Sequence, residues 1–122
     1  MLYSIYAEST PNPEVMKFVS NRMLADKSVE FLTKNEAEKI PMIHKIFSLP
    51  FVESIFLSSN FISIKKSNNI EWGEILIELR NFITTTLNED DIQNYTENIS
   101  IEELITKKST GSNKEKNTQN IK

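Results

Sequence analysis

The chain has no cysteine, a single histidine, a single tryptophan and only two glycines in 122 residues. Without cysteine there is no disulfide, no thiolate nucleophile and no thiolate ligand for zinc or an iron–sulfur cluster. The lone imidazole, His44, leaves carboxylates as the only other donors, which disfavours zinc and iron sites. Its place beside Ile43 and one turn after Ile40 is that of a helix-surface or boundary histidine. With glycine confined to Gly73 and Gly111, no phosphate-cradling loop of the P-loop or dinucleotide kind exists. Hydroxyl nucleophiles would have one candidate base, His44, and nothing in the sequence suggests an oriented third group beside it, which disfavours triad chemistry as well. No catalytic, metal-binding or cofactor-binding residue is nominated, and the chain reads as a non-enzyme.

Long apolar runs are also missing. Ile43–Leu57 is interrupted by His44, Lys45, Ser48, Pro50, Glu53 and Ser54, far short of the roughly 20 apolar residues a membrane helix requires. Strand-like sequence begins at Leu2, with no leader ahead of it, and this reads as a cytoplasmic chain. The formal charge of −3 is uneven. From Lys107 to Lys122 five lysines face one glutamate, a net of +4, which leaves −7 on residues 1–106. Such an acidic body repels phosphate backbones, so nucleic acid is not an expected partner.

What is present is an ordinary globular composition, 39% hydrophobic and 25% charged, in a chain about one domain long. Leu2–Ala7 is β-prone and stops at Glu8-Ser9-Thr10-Pro11-Asn12-Pro13, where two prolines force a turn. Val15–Val19 then fits a second strand paired with the first. Ser28–Thr33 alternates as a third, short strand at a sheet edge. Ile40, Ile43, Ile46 and Phe47 recur at helical spacing and predict a helix over Pro41–Ser48, with Pro41 in its first turn and Pro50 beyond its end. Val52–Leu57 and Phe61–Lys65, joined by Ser58-Ser59-Asn60, form a hairpin pattern. Trp72, Ile75, Leu76, Leu79, Phe82, Ile83 and Leu87 make an amphipathic helix over Trp72–Leu87.

The order β, β, β, α, β, β, α predicts an α+β fold, an antiparallel sheet built from β-hairpins with two helices packed on one face. Residues 1–87 are expected to be the domain and 88–122 a polar linker or tail, with one short helical turn possible at Ser100–Ile105 from its capping-box spacing. Glu89, Asp90 and Asp91 lack the pattern of a calcium loop and read as solvated carboxylates. Phe51, Phe56, Phe61 and Ser63 are candidates for whichever sheet face the helices leave open, where apolar surface would mark a partner site.

Ser9-Thr10-Pro11-Asn12-Pro13-Glu14-Val15-Met16-Lys17-Phe18 resembles the opening of the N-terminal domain of NifU-like (Nfu) iron–sulfur cluster scaffold proteins. Pro41–Phe47, Val52–Lys65 and Trp72–Phe82 resemble that domain's later segments in order, so the similarity covers about residues 2–87. The resemblance implies a part in iron–sulfur protein maturation, where the cluster sits on a separate Cys-x-x-Cys domain absent from this chain. The expected function is therefore a non-catalytic protein-interaction domain in cluster assembly or delivery. The alternative is a structural, solubilising or self-association domain for a separate cluster-binding domain. Expected partners are assembly proteins or recipient apoproteins, with a C-terminal cluster-binding domain in cis. Thr10, Pro11, Asn12, Pro13 and Lys17 are the candidate partner contacts. The turn residues among them serve equally well to set the register of the first two strands.

Overall fold

The computed structural model describes residues 2–96. Five strands form one antiparallel sheet: β1 (Ile5–Ser9), β2 (Val15–Ser20), β3 (Ala25–Phe31), β4 (Val52–Ser59) and β5 (Phe61–Lys66), in the spatial order β1-β2-β5-β4-β3. Helices α1 (Pro41–Ile46) and α2 (Trp72–Glu89) cover one face. A short α3 (Gln93–Thr96) follows. The α+β architecture expected from the sequence is the one observed.

Period-two alternation divides the sheet. Phe18, Phe31, Ile55, Leu57, Ile62 and Ile64 point inward and are buried, each contributing on the order of 1.5–3 kcal/mol by leaving water. From the other side they meet Ile40, Met42, Ile43 and Ile46 around α1, and Leu79, Ile83 and Leu87 on α2. Helix α1 begins at Pro41, whose fixed φ suits a first helical position and whose missing N–H costs nothing there. The segment before it makes only a 3-10 turn, Asn35–Ala37.

Strand β1 starts at Ile5 and runs on to Ser9, past the stop read at Ala7, because Glu8 and Ser9 pair with Lys17 and Met16, and two further details depart from the strand pattern read in the sequence. Ser58 pairs with Phe61, so the β4–β5 connection is the two residues Ser59 and Asn60, not three. Ser59 takes a left-handed φ of 48°, tolerated because both turn residues are tied down. Ser20 N–H donates to the Asn60 carbonyl (2.7 Å), Leu24 N–H to the Ser59 carbonyl (2.7 Å), and Asn60 Nδ2 to the Ser20 carbonyl (3.0 Å). The edge strand β3 starts at Ala25 because Ala25 pairs with Ser59. An irregularity between Ala25 and Val29 then restores register with Leu57, and such an interruption erases local alternation.

The packed unit continues beyond the composition change at Leu87. Tyr3 N–H donates to Asn88 Oδ1 (2.7 Å) and Asn88 Nδ2 to the Tyr3 carbonyl (3.2 Å), a reciprocal pair that closes the start of β1. Ile92 is fully buried, and Thr96 Oγ1 donates to the Leu24 carbonyl (2.8 Å). Ile92 and Tyr95 alone among polar residues set no sustained period, which is why composition alone hides this stretch. The polar tail and the Ser100–Ile105 segment lie outside the described residues.

Asp91 is the centre of this region. It accepts from Tyr3 OH, from the Gln93 amide (2.9 Å) and from Arg22 Nη2 (3.2 Å), while the Arg22 guanidinium lies 4.1 Å from the Tyr3 ring centre. Asp90 likewise accepts from Tyr95 OH (3.0 and 2.9 Å). The reading of Glu89, Asp90 and Asp91 as simply solvated therefore holds for the exposed Glu89 and is corrected for the other two. Burial by itself pushes the Asp91 carboxyl up, but the Tyr3 and Gln93 hydrogen bonds and the Arg22 charge together outweigh it and hold the group below its ordinary value. A carboxyl lowered in the folded state stabilises the fold above its unfolded pKa and loses that contribution as pH falls through the folded value. Acid titration of stability should consequently be steeper below about pH 4 for the natural chain than for Asp91→Asn. Equal acid slopes for the two proteins would contradict this.

Candidate interaction surface

The Thr10–Pro13 turn is built from its own polar groups. Thr10 Oγ1 reaches the carbonyls of Asn12 (2.9 Å) and Val15 (3.0 Å) as donor and accepts from Asn12 N–H (3.2 Å). Asn12 Oδ1 accepts from Glu14 N–H (2.9 Å), the local side-chain turn for which asparagine is favoured. Val15 N–H closes the loop on the Asn12 carbonyl (3.0 Å). Pro11, Asn12 and Pro13 are exposed and Thr10 half-buried, so the turn projects as a preformed knuckle at the joined ends of β1 and β2.

Its base is anchored across the fold. Trp72 Nε1, in the first turn of α2, donates to the Pro13 carbonyl (3.0 Å), and Lys66 N–H donates to the Glu14 carbonyl (2.9 Å). The Trp72 ring meets Phe18 edge to face at 6.5 Å, within the favourable range for aromatic pairs. The buried Lys66 side chain lies 5.7 Å from the Trp72 ring centre and donates to the Ser67 carbonyl (3.3 Å). The knuckle is thus rigid because core residues hold it.

Lys17 is not on the knuckle. It stands two residues into β2 on the sheet face that the helices leave open, with its Nζ 4.3 Å from the Phe61 ring centre, a cation–π contact. Register assembles the rest of that face. One row runs Glu8, Lys17, Ser63, Phe56 and Glu30, and the next runs Tyr6, Val19, Phe61 and Ser58. Tyr6 is 59% exposed and Phe56 36%, and Phe56 and Phe61 lie 6.0 Å apart. Phe56, Phe61 and Ser63 are therefore on the open face as their strand spacing suggested. Phe51 is not, since it precedes β4 and packs on the helical side against the core, where strand alternation does not apply. Sequence reading passed over Tyr6 and Val19. Their signal is the parity they share with Glu8 and Lys17, which becomes usable only once β1 and β2 are paired.

Iron in clusters is held chiefly by cysteine thiolates, and the chain has none. His44 is half-buried on α1, and among the described residues no three His, Cys, Asp or Glu side chains are grouped to hold a metal. The donor set does not fit an iron–sulfur cluster. Among the described residues no helix is long and apolar enough to cross a membrane.

Residues 5–90 match the family model for the N-terminal part of the Nfu/NifU scaffold proteins. The mitochondrial NFU1 iron–sulfur cluster scaffold homolog of Homo sapiens is 30% identical over 71 residues, 57% of this chain and 28% of the relative. Conserved virulence factor C of Staphylococcus aureus (strain bovine RF122 / ET3-1) is 30% identical over 106 residues, 82% of this chain and 28% of the relative. In the solution NMR structure of a NifU-like protein from Saccharomyces cerevisiae, the same fold superposes with a TM-score of 0.64 at 28% identity, covering 74% of this chain and 82% of that one. The chain spans little more than a quarter of the length of these curated relatives. On the match over residues 5–90 and these similarities, the chain belongs to the Nfu/NifU N-terminal scaffold-protein family.

Proposed function

We propose that this chain is a non-catalytic interaction domain in iron–sulfur cluster assembly or delivery, contributing surface and no cluster ligand. The observation that carries the reading is the pairing of family membership with a sequence free of cysteine. The cluster is cargo held elsewhere, and a Cys-x-x-Cys domain in cis is the proposed holder. The proposed contacts are the Thr10–Pro13 knuckle and the open face around Lys17, with assembly proteins or recipient apoproteins as partners. A preformed knuckle costs little ordering entropy on binding, and a partly exposed aromatic face supplies the anchors that interfaces favour. The cytoplasmic address read from the sequence belongs to the same proposal, and cell fractionation decides it.

Anaerobic reconstitution of the 122-residue chain with iron and sulfide should give no cluster absorbance, whereas the chain joined to a Cys-x-x-Cys domain should take one up. In that joined protein Tyr6→Asp with Phe61→Asp should slow cluster transfer to a recipient apoprotein and leave cluster uptake unchanged. A stoichiometric cluster on the isolated chain would refute the ligand argument. Equal transfer rates with and without the two substitutions would remove the open face from the interaction. Aggregation of the joined protein on deleting this domain, with transfer by the soluble fraction intact, would favour the solubilising alternative.

A further inference from the structure

On the helical side, away from the open sheet face, a groove of about 190 Å³ runs between α2 and the α1–β4 connection. Leu49, Phe51, Ile75, Leu79 and Phe82 line it, together with Glu78. For scale, an apolar cavity of about 150 Å³ accommodates a benzene, so this one admits a leucine- or phenylalanine-sized side chain. Phe51 also borders a second depression, lined by Pro50 and Ile70 among others.

The shoulder of the groove is acidic. Glu71 at the N-cap of α2 and Glu74 and Glu78 within the helix are exposed and follow three- and four-residue steps, which lines them up along about 10 Å at its start. No lysine or arginine among the described residues lies within ion-pair distance of any of them. Glu71 and Glu74 are suited to the positive end of the helix, but that effect fades within the first turn. It does not account for Glu78, which lies a turn further on and lines the groove itself. Arg80, the one cation on α2, reaches the opposite way, donating to the Ile5 carbonyl at 3.3 Å.

We propose that this groove is a docking site for a basic amphipathic segment of a partner protein, one that seats an apolar anchor among Leu49, Phe51 and Phe82 and sets lysine or arginine against the Glu71–Glu78 stripe. Helix-in-groove recognition requires such a pattern, apolar anchors at three- and four-residue spacing with cations on the flank. This surface is distinct from the knuckle and the open face, and it stands whether or not the chain serves iron–sulfur assembly.

The test uses the full isotopically labelled chain and a synthetic helical peptide of about five turns (~18 residues), with leucines on one face and lysines on both flanks. Saturable NMR shifts should fall on the amides of Phe51, Ile75, Glu78 and Phe82. Affinity should drop about tenfold for the same peptide with glutamate in place of lysine, and for the chain carrying E74K and E78K, exposed positions whose substitution leaves the remaining spectrum unchanged. Shifts that are absent, that fall on Tyr6 and Phe61 instead, or that ignore both charge reversals would overturn the proposal. So would movement of the groove amides on L104D in the chain alone, since that outcome assigns the groove to the chain's own apolar Ile101-Leu104-Ile105 segment.

Discussion

Replacing Phe18 by alanine should lower the unfolding free energy by about 3–5 kcal/mol, the range for deleting a buried phenylalanine. Phe18 is fully buried on β2, flanked by Ala7 on β1 and Ile62 on β5, and its ring meets Trp72 edge to face. Truncation there leaves a hole at the crossing of the sheet and the start of α2, where strand neighbours cannot collapse inward without breaking register. It also removes one side of the packing that steadies Trp72, hence the hydrogen bond from its indole to the Pro13 carbonyl. Phe18→Leu, which keeps most of the volume, should cost well under half as much. Denaturant unfolding followed by tryptophan fluorescence measures both, since Trp72 is the sole reporter. A loss below about 1 kcal/mol for the alanine variant would mean that Phe18 is not packed as described.

The second large effect concerns where the folded unit stops. A chain ending at Leu87 should be less stable than one ending at Thr96 by about 3–5 kcal/mol, from the burial of Ile92 and the hydrogen bonds made by Asn88, Asp91 and Thr96. Against a total of roughly 5–15 kcal/mol for a domain, that loss is large enough to populate unfolded chain at moderate temperature. The mechanism is specific. Asn88 and Asp91 tie down Tyr3 and Arg22, and Thr96 holds Leu24, so removing them frees both the entry to β1 and the connection between β2 and β3. Thermal unfolding of the two chains in parallel checks it, and coincident transitions would show that residues 88–96 add nothing.

Much of this architecture was legible in advance because it rests on short-range pattern. Val52–Lys65 alternates strongly enough to announce a hairpin, and the α2 stripe from Trp72 to Leu87 could be read turn by turn. Pro41 and Pro50 bracket α1 through backbone geometry that no tertiary contact needs to supply. The candidate interaction surface was legible only in part. Thr10–Pro13 stands out by composition, and Lys17 through its place in a resemblance. That Lys17 lies over Phe61 rather than beside the turn depends on the β2–β5 register, a pairing between segments more than forty residues apart. The irregular start of β3 was hidden for a related reason, since Ala25 is placed by a partner, Ser59, and not by its neighbours in sequence.

By itself, then, the sequence determined that five strands and the helices α1 and α2 form, which stripe of α2 is apolar, and that no thiolate is present to hold a cluster, because these follow from local periodicity, backbone restriction and side-chain chemistry. Only the tertiary structure decided the strand order β1-β2-β5-β4-β3, the assembly of Tyr6, Val19, Phe56 and Phe61 on one open face, the acid-edged groove beside α2 and the capture of Asp91 by Tyr3 and Arg22. Each of those is a meeting of residues far apart in the chain. Such meetings are selected by the packing of the whole molecule, for which no stretch of sequence carries a local signal.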